Sequence, residues 1–182
     1  MSPRIRLALV GLVLVTLGLI AWRSGLTAMS LRELRLTIEG LGPLALLAFV
    51  GLFPILVLLG FPGMALVVAG SLVFGELVGF LASYVAGLLA VTLAFGIARG
   101  IGGQALAEIE RPLVRRALAS LDRRPIGTIV LLRSVFWFAP PLSFAFALSS
   151  LTFKDYLAGS ILGMFVPVLV GTLLAKVIAA LV

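Results

Sequence analysis

The stretch GFPG at Gly60–Gly63 interrupts a long apolar segment near the point where a membrane span would have its middle. The stretch FAPP at Phe138–Pro141 interrupts a second apolar segment in the same way. Small residues follow each break, at Ala69–Glu76 and at Leu148–Leu151. Glycine or proline breaks at corresponding places in two apolar segments are the best sequence indication of a transport site near the membrane midplane. The breaks therefore predict a membrane protein built from two similar halves.

The composition agrees with a membrane location. Of the 182 residues, 62% are apolar and only 12% are charged, whereas a soluble domain has about 45–50% apolar and about 25% charged residues. Residues Leu41–Gly75 contain no charge, and about 20 apolar residues suffice to span a bilayer. The length allows one membrane domain, so we expect an integral membrane protein.

Cysteine and histidine are both absent. Their absence excludes disulfides, cysteine or histidine metal sites and Ser-His-Asp triads. An intramembrane peptidase is disfavoured as well, because the membrane segments lack a pair of aspartates. We expect no enzymatic activity, no cofactor and no metal.

The net charge of +7 is unevenly distributed. The segment Arg99–Arg124 contains six arginines and three acidic residues. Such a basic segment is typical of the cytoplasmic face and of contact with anionic lipid headgroups. Nucleic-acid binding is disfavoured because no base-stacking aromatic residues accompany the arginines. We expect membrane lipids as partners.

The chain divides into two regions. Residues 1–41 are predicted to contain a transmembrane helix at Leu7–Trp22 and an amphipathic helix that lies at the membrane interface. Residues 42–182 are predicted to form the main membrane domain, with spans at 42–60, 76–101 and 152–182. Re-entrant hairpins are predicted at about 61–76 and 125–150, because full spans throughout would leave almost no residues for turns.

The two halves also resemble each other in sequence. Residues Gly79–Gly87 align with Asp155–Gly163, and Pro62 matches Pro140 with a slip of two residues. We therefore predict an all-α polytopic membrane protein. Its fold would be an inverted repeat of two re-entrant helical hairpins, each followed by a transmembrane helix.

These motifs resemble the DedA superfamily, also called the VTT-domain or SNARE-associated Golgi protein family. In the first half the resemblance rests on FPG at Phe61–Gly63, AGSLVFG at Ala69–Gly75, Gly79 and FGIAR at Phe95–Arg99. In the second half it rests on LLR at Leu131–Arg133, the proline pair, and Gly159, Gly163 and Pro167. The resemblance covers roughly residues 42–181.

The resemblance implies two re-entrant hairpins that face each other across the membrane, and lipid translocation. Members act as phospholipid scramblases or as carriers of undecaprenyl phosphate, and some bacterial members depend on the proton gradient. Met64 stands where the proton-linked branch has an acidic residue, and Ser143 or Ala145 stands in the region of a usual asparagine. The chain is thus more similar to the Tvp-like branch, and we expect downhill movement in a bacterial plasma membrane.

Arg133 is the leading candidate for substrate binding, because a charge inside a bilayer is costly and its planar guanidinium suits a phosphate. The alternative is that Arg133 lies near an interface and extends its charge into water. Ser143 and Ser71 are predicted to line the same polar groove. Arg99 is a further candidate, with an interfacial anchor as the alternative.

The remaining candidates shape the hairpins. The predicted hairpin breaks are Pro62, Gly63, Gly70, Gly75, Pro140 and Pro141. Glu76 and Asp155 are predicted either to cap the helices that follow them or to pair with Arg99 or Arg133, since an anion is favourable at a helix N-terminus.

The function predicted from the sequence is a membrane transporter that moves a lipid or lipid-phosphate through a groove between the two hairpins. One alternative is a transporter of small solutes or ions that uses the same groove. Another is a membrane scaffold without transport activity, which would recruit partners through Arg99–Arg124.

Overall fold

The computed structural model describes residues 44–102 and 124–181, and within these ranges the secondary structure is helical without strands. Its helices are α1 (Ala45–Leu58), α2 (Gly63–Phe74), α3 (Glu76–Gly102), α4 (Pro125–Phe136), α5 (Pro140–Leu148) and α6 (Phe153–Leu181). The helices predicted within residues 1–41 lie outside the described residues, as does most of the segment Arg99–Arg124.

Helices α3 and α6 are long and apolar enough to cross a membrane by their length and composition, as the sequence predicted. In α3, Glu76 and Arg99 enclose 22 uncharged residues, which extend about 33 Å at 1.5 Å per residue. In α6, Asp155 and Lys176 enclose 20 uncharged residues, about 30 Å. Both lengths match the hydrocarbon core of a bilayer, about 30 Å thick.

The two long helices lie side by side and run in opposite directions. Their cross-contacts follow one another in antiparallel order and pair Glu76 with Lys176, Tyr84 with Ile161, and Val91 with Tyr156. The first of these contacts joins the beginning of α3 to the end of α6. The charged ends of each helix therefore lie beside the charged ends of the other.

The four short helices follow one another along the chain as two pairs, α1 before α2 and α4 before α5. They contain 9 to 14 residues, so each is about 13–21 Å long and shorter than a bilayer core. Helix α1 packs on α3, and α4 packs on α6. The second helix of each pair also reaches across to the other half, since α2 packs on α6 and α5 packs on α3.

Helix α3 shows how small and large side chains are divided between interior and surface. Its buried face carries an alanine at every fourth position, namely Ala82, Ala86, Ala90, Ala94 and Ala98. Its exposed face carries large apolar residues at the same interval, namely Leu77, Leu81, Val85, Leu89, Leu93 and Ile97. Small residues between helices and large apolar residues outside are typical of proteins that pack within lipid.

The first hairpin differs from its prediction. The predicted span 42–60 contains a helix of only 14 residues, α1, and residues 59–62 form the turn that follows it. We predicted the tip or exit bend of this hairpin at Gly70–Gly75, but Gly63–Phe74 is one continuous helix. Gly75 is indeed the exit bend, with φ of 83°.

Gly70 is therefore wrong as a hairpin break. It lies inside α2, where a Cβ atom would approach the Phe49 ring to 2.5 Å. Its lack of a side chain serves the close packing of α2 against α1. Glycine permits close approach as well as tight turns, and here the first of these properties is used.

Gly79 provides a test of this close packing. A Cβ atom on Gly79 would lie 2.5 Å from the Ser71 Cα atom, and backbone atoms cannot move aside as a flexible side chain can. We expect Gly79→Ala to separate α2 from α3 and to destabilise the protein by about 1–3 kcal/mol. The measurement is the thermal midpoint of the purified protein in detergent, followed by size-exclusion chromatography.

Gly96→Ala is the matched control, because Gly96 lies in the same helix and a Cβ atom there meets nothing within 4 Å. This variant should keep its thermal midpoint or gain slightly, since alanine favours a helix by up to about 1 kcal/mol over glycine. Equal midpoints for the two variants would contradict the packing described here.

Candidate functional site

Arg133 lies in the last turn of α4 and is completely buried, at 0% exposure. Helix α4 approaches α6 closely at this point, because Gly163 has no side chain. A Cβ atom on Gly163 would lie 2.7 Å from the Cβ atom of Arg133. The sequence therefore places the arginine inside the protein, and its guanidinium does not extend into water at an interface.

The guanidinium donates hydrogen bonds to three different segments. Its Nη2 atom donates to Ser143 Oγ in α5 and to Tyr156 Oη in α6, each at 2.7 Å. Its Nη1 atom donates to the carbonyl oxygen of Trp137, between α4 and α5, at 3.2 Å. Tyr156 in turn donates to the carbonyl oxygen of Val91 in α3, at 2.6 Å. One cation thus joins the second hairpin to both long helices.

Neutral groups surround this charge. The Arg133 Cζ atom lies 5.7 Å from the ring centre of Phe146 and 5.6 Å from that of Tyr156, and such rings attract a cation. Within the described ranges the guanidinium donates to a carbonyl oxygen and two hydroxyls, none of them a carboxylate, and its Nε atom has no hydrogen-bond partner there. The site retains positive charge and at least one free donor.

The predicted pairing of Glu76 and Asp155 with Arg99 or Arg133 is wrong. Glu76 forms an exposed ion pair with Lys176 at 3.0 Å. Asp155 accepts a hydrogen bond from Thr152 Oγ1 at 2.7 Å, and Thr152 Oγ1 accepts one from the backbone N–H of Asp155. Asp155 has the other predicted role, helix capping, because these two hydrogen bonds form a cap at the start of α6. Glu76 lies in the first turn of α3.

The two helix breaks meet around a cavity of about 290 Å³. Its walls are formed by residues Gly60–Met64 of the first half and Phe136–Pro140 of the second, together with Val57. Phe138 joins the two sides, because its ring lies 5.6 Å from that of Phe53 and a Cβ atom on Gly63 would collide with it. The lining is mainly apolar, apart from backbone groups at the breaks.

The predicted breaks Pro62, Gly63, Pro140 and Pro141 all lie at starts of helices. Pro62 precedes α2 and Gly63 begins it, while Pro140 and Pro141 begin α5. Proline suits a first helical turn, where its missing N–H would have no partner within the helix. These four residues therefore position the two tips at the cavity.

Two other candidates lie away from Arg133. Ser71 in α2 donates a hydrogen bond to Thr172 in α6 at 3.1 Å. Thr172 is 16 residues beyond Tyr156, or about 24 Å along the helix, so Ser71 does not share the Arg133 cluster. Arg99 donates to the carbonyl oxygens of Ser149 and Leu151, at 3.2 and 2.8 Å. It therefore joins the end of α3 to the beginning of α6.

Sequence reasoning brought Arg133 and Ser143 together but missed Tyr156 and Trp137. Tyr156 lies in the range Asp155–Gly163 that aligns with the first half, and the alignment assigns it no role. A hydroxyl within an otherwise apolar span, a position where polar groups need partners, was the signal that could have identified it. The backbone carbonyl oxygen of Trp137 accepts a hydrogen bond from the guanidinium, and the residue also lines the cavity.

Comparisons with known proteins agree with this architecture. The family model for the VTT domain matches residues 61–177, a range that includes nearly all of both breaks, the whole of α3, most of α6 and Arg133. Neither the curated proteins nor the solved structures yield a match to the chain. The family match does not resolve branches, so the Tvp-like assignment stays a prediction. Since the match covers more than half of the sequence, the chain belongs to the VTT-domain family, the domain of the DedA and SNARE-associated Golgi proteins.

Proposed function

We propose that this VTT-domain protein is a membrane transporter that moves a lipid or lipid-phosphate across the bilayer, in the manner of a scramblase or flippase. The charged headgroup would pass between the two hairpin tips while the acyl chains remain in the surrounding lipid. Membership of a family of membrane-associated, transporter-like proteins supports this class of function.

The observation that carries the proposal is the buried charge of Arg133 at the break between α4 and α5. A buried cation is costly unless it is paired, yet the described partners of Arg133 are neutral oxygens. A guanidinium binds a phosphate through two parallel hydrogen bonds. A headgroup phosphate would supply the negative charge that these partners lack.

We infer that both helical pairs are re-entrant and that the two halves form an inverted repeat. The short lengths of α1, α2, α4 and α5 support this, because none reaches across a bilayer core. The packing of α2 on α6 and of α5 on α3, each a long helix of the other half, supports it as well. The first hairpin would then enter from the face of Glu76 and Lys176, and the second from the face of Arg99.

The direction of movement follows the gradient of the lipid in this proposal. Met64 lines the cavity and occupies the position where the proton-linked branch of the family carries an acidic residue. Anionic headgroups would gather at the segment Arg99–Arg124, on the face from which the second hairpin enters, and the basic charge of this segment favours the cytoplasmic side.

Arg133 variants test the proposed site. We expect Arg133→Ala and the neutral Arg133→Gln to abolish lipid transport, because neither provides a charge for the phosphate. Arg133→Lys should be partly active at best, since it keeps the charge and loses the planar fork. The measurement is transbilayer movement of a fluorescent phospholipid in liposomes, at matched levels of inserted, monodisperse protein.

Lys176→Gln is the matched control, because it removes a cation from the exposed ion pair with Glu76, and such pairs contribute about 0–1 kcal/mol to stability. It should transport at the rate of the unmodified protein. Full activity of Arg133→Ala would remove Arg133 from the site. A scaffold acting through Arg99–Arg124 would show no transport in any of these proteins.

Cysteine labelling tests the re-entrant arrangement, and the absence of native cysteine makes it clean. Cysteines at Leu44 and Glu76, which flank the first hairpin, should react with an impermeant maleimide from one face of the membrane. Cysteines at Arg124 and Lys154, which flank the second hairpin, should react from the opposite face. Labelling of the two ends of either hairpin from different faces would show that the hairpin crosses the bilayer.

A further inference from the structure

Trp137 has an unusual backbone conformation for a bulky residue. Its φ of 54° and ψ of −125° make it the one non-glycine residue with positive φ in the described part of the chain. The corresponding turn of the first hairpin uses a glycine, Gly60, with φ of 91°. L-residues other than glycine rarely adopt positive φ, because the Cβ atom approaches the backbone too closely. The tip of the second hairpin is therefore strained and the tip of the first is not.

Hydrogen bonds with Arg133 and Ser134 hold Trp137 in this conformation. The backbone N–H of Trp137 donates to the carbonyl oxygen of Arg133 at 2.8 Å. The Arg133 guanidinium donates back to the Trp137 carbonyl oxygen at 3.2 Å. The indole Nε1 atom donates to the carbonyl oxygen of Ser134 at 3.2 Å. Strained backbone persists only where its surroundings fix it in this way.

Trp137 also connects the cavity with the charge, because it contacts both. It lines the cavity between the hairpin tips, whereas Ser143 and Tyr156, the other partners of the guanidinium, do not. Arg133 itself has 0% exposure. An anion in the cavity that takes the Nη1 donor of Arg133 therefore displaces the one described partner of the guanidinium that lines the cavity, the Trp137 carbonyl oxygen.

We propose that Trp137 couples binding of a phosphate at Arg133 to opening of the cavity between the hairpin tips. The inference rests on the proposed lipid transport. The phosphate takes the Nη1 donor from the Trp137 carbonyl oxygen, because a hydrogen bond between two charged groups is stronger than one to a neutral carbonyl. Trp137 then leaves its strained conformation and the tip moves outward. Since the closed state buries Arg133, the phosphate binds the open state alone and shifts the population toward it.

Tryptophan fluorescence reports this movement directly. The chain contains two tryptophans, Trp22 and Trp137, so Trp22→Phe leaves Trp137 as the sole reporter. The full-length protein in detergent is titrated with a short-chain phosphatidylglycerol, and the access of acrylamide to Trp137 is measured. We expect quenching to rise saturably with the phospholipid and to stay constant with a short-chain diacylglycerol, which lacks the phosphate.

Inorganic phosphate forms a separate arm of the titration. If it produces the same saturable change in quenching, the site binds phosphate without attached acyl chains, and the coupling to Trp137 stands. If only the phospholipid produces the change, the ligand is the headgroup attached to its chains. Unchanged quenching with both compounds would overturn the proposal.

Variants separate coupling from a general change of structure. In the Trp22→Phe background, Arg133→Gln should abolish the response to phospholipid, and Lys176→Gln should keep it. A response that survives in Arg133→Gln would overturn the coupling. Transport assays on the same proteins distinguish the two proposals. If the protein transports lipid but the quenching of Trp137 does not change with phospholipid, the coupling alone is refuted. If the quenching changes but the protein transports no lipid, the proposed function alone is refuted.

The role of the strain itself is tested by Trp137→Gly and Trp137→Ala. Both remove the indole, but only glycine adopts positive φ without strain. The glycine variant should hold the closed tip more firmly and should transport lipid severalfold more slowly than the alanine variant, at matched insertion. Equal rates would show that the strain does not contribute to opening.

Discussion

The structure depends on how one buried guanidinium is satisfied. Hydrogen bonds to a charged group contribute about 1.5–3 kcal/mol each, and Arg133 makes three of them to neutral oxygens on three segments. An apolar residue at position 133 could fill the same space but could not make these hydrogen bonds. The cation determines where α4, the break, α5 and α6 lie relative to one another, and Tyr156 extends that constraint to α3.

The surrounding helices can satisfy this constraint because small residues occupy the faces through which they contact one another. The alanines of α3, and glycines such as Gly163 and Gly79, let helix axes approach closely. Close approach maximises van der Waals contact, which drives helix association in lipid where the hydrophobic effect between helices is absent. Larger residues on these faces would separate the helices, and the hydrogen bonds of Arg133 and Tyr156 would then exceed their required distances. Packing and polar contacts therefore depend on the same small residues.

The sequence was sufficient for features that depend on the solvent and on backbone chemistry. Long uncharged segments predicted α3 and α6, consecutive prolines predicted the second break, and a lone arginine in an apolar segment made Arg133 the leading candidate residue. Features that depend on contacts between residues far apart in the sequence could not be predicted in this way. Gly70 has the composition of a turn, but its function is contact with Phe49. Glu76 finds its partner Lys176 one hundred residues away, and only the antiparallel arrangement of the long helices brings them together.

The two halves contact each other differently at the ends of the long helices and at the hairpin tips. At one face Arg99 binds carbonyl oxygens that precede α6, and at the other Lys176 binds Glu76 at the beginning of α3. Each long helix thus carries, near its end, a cation that contacts the residues at or before the beginning of the other. The hairpin tips between them meet around a cavity, and one tip is strained at Trp137. Strained backbone stores free energy that is released when the chain leaves its conformation, so this arrangement favours movement at the tip that carries Trp137.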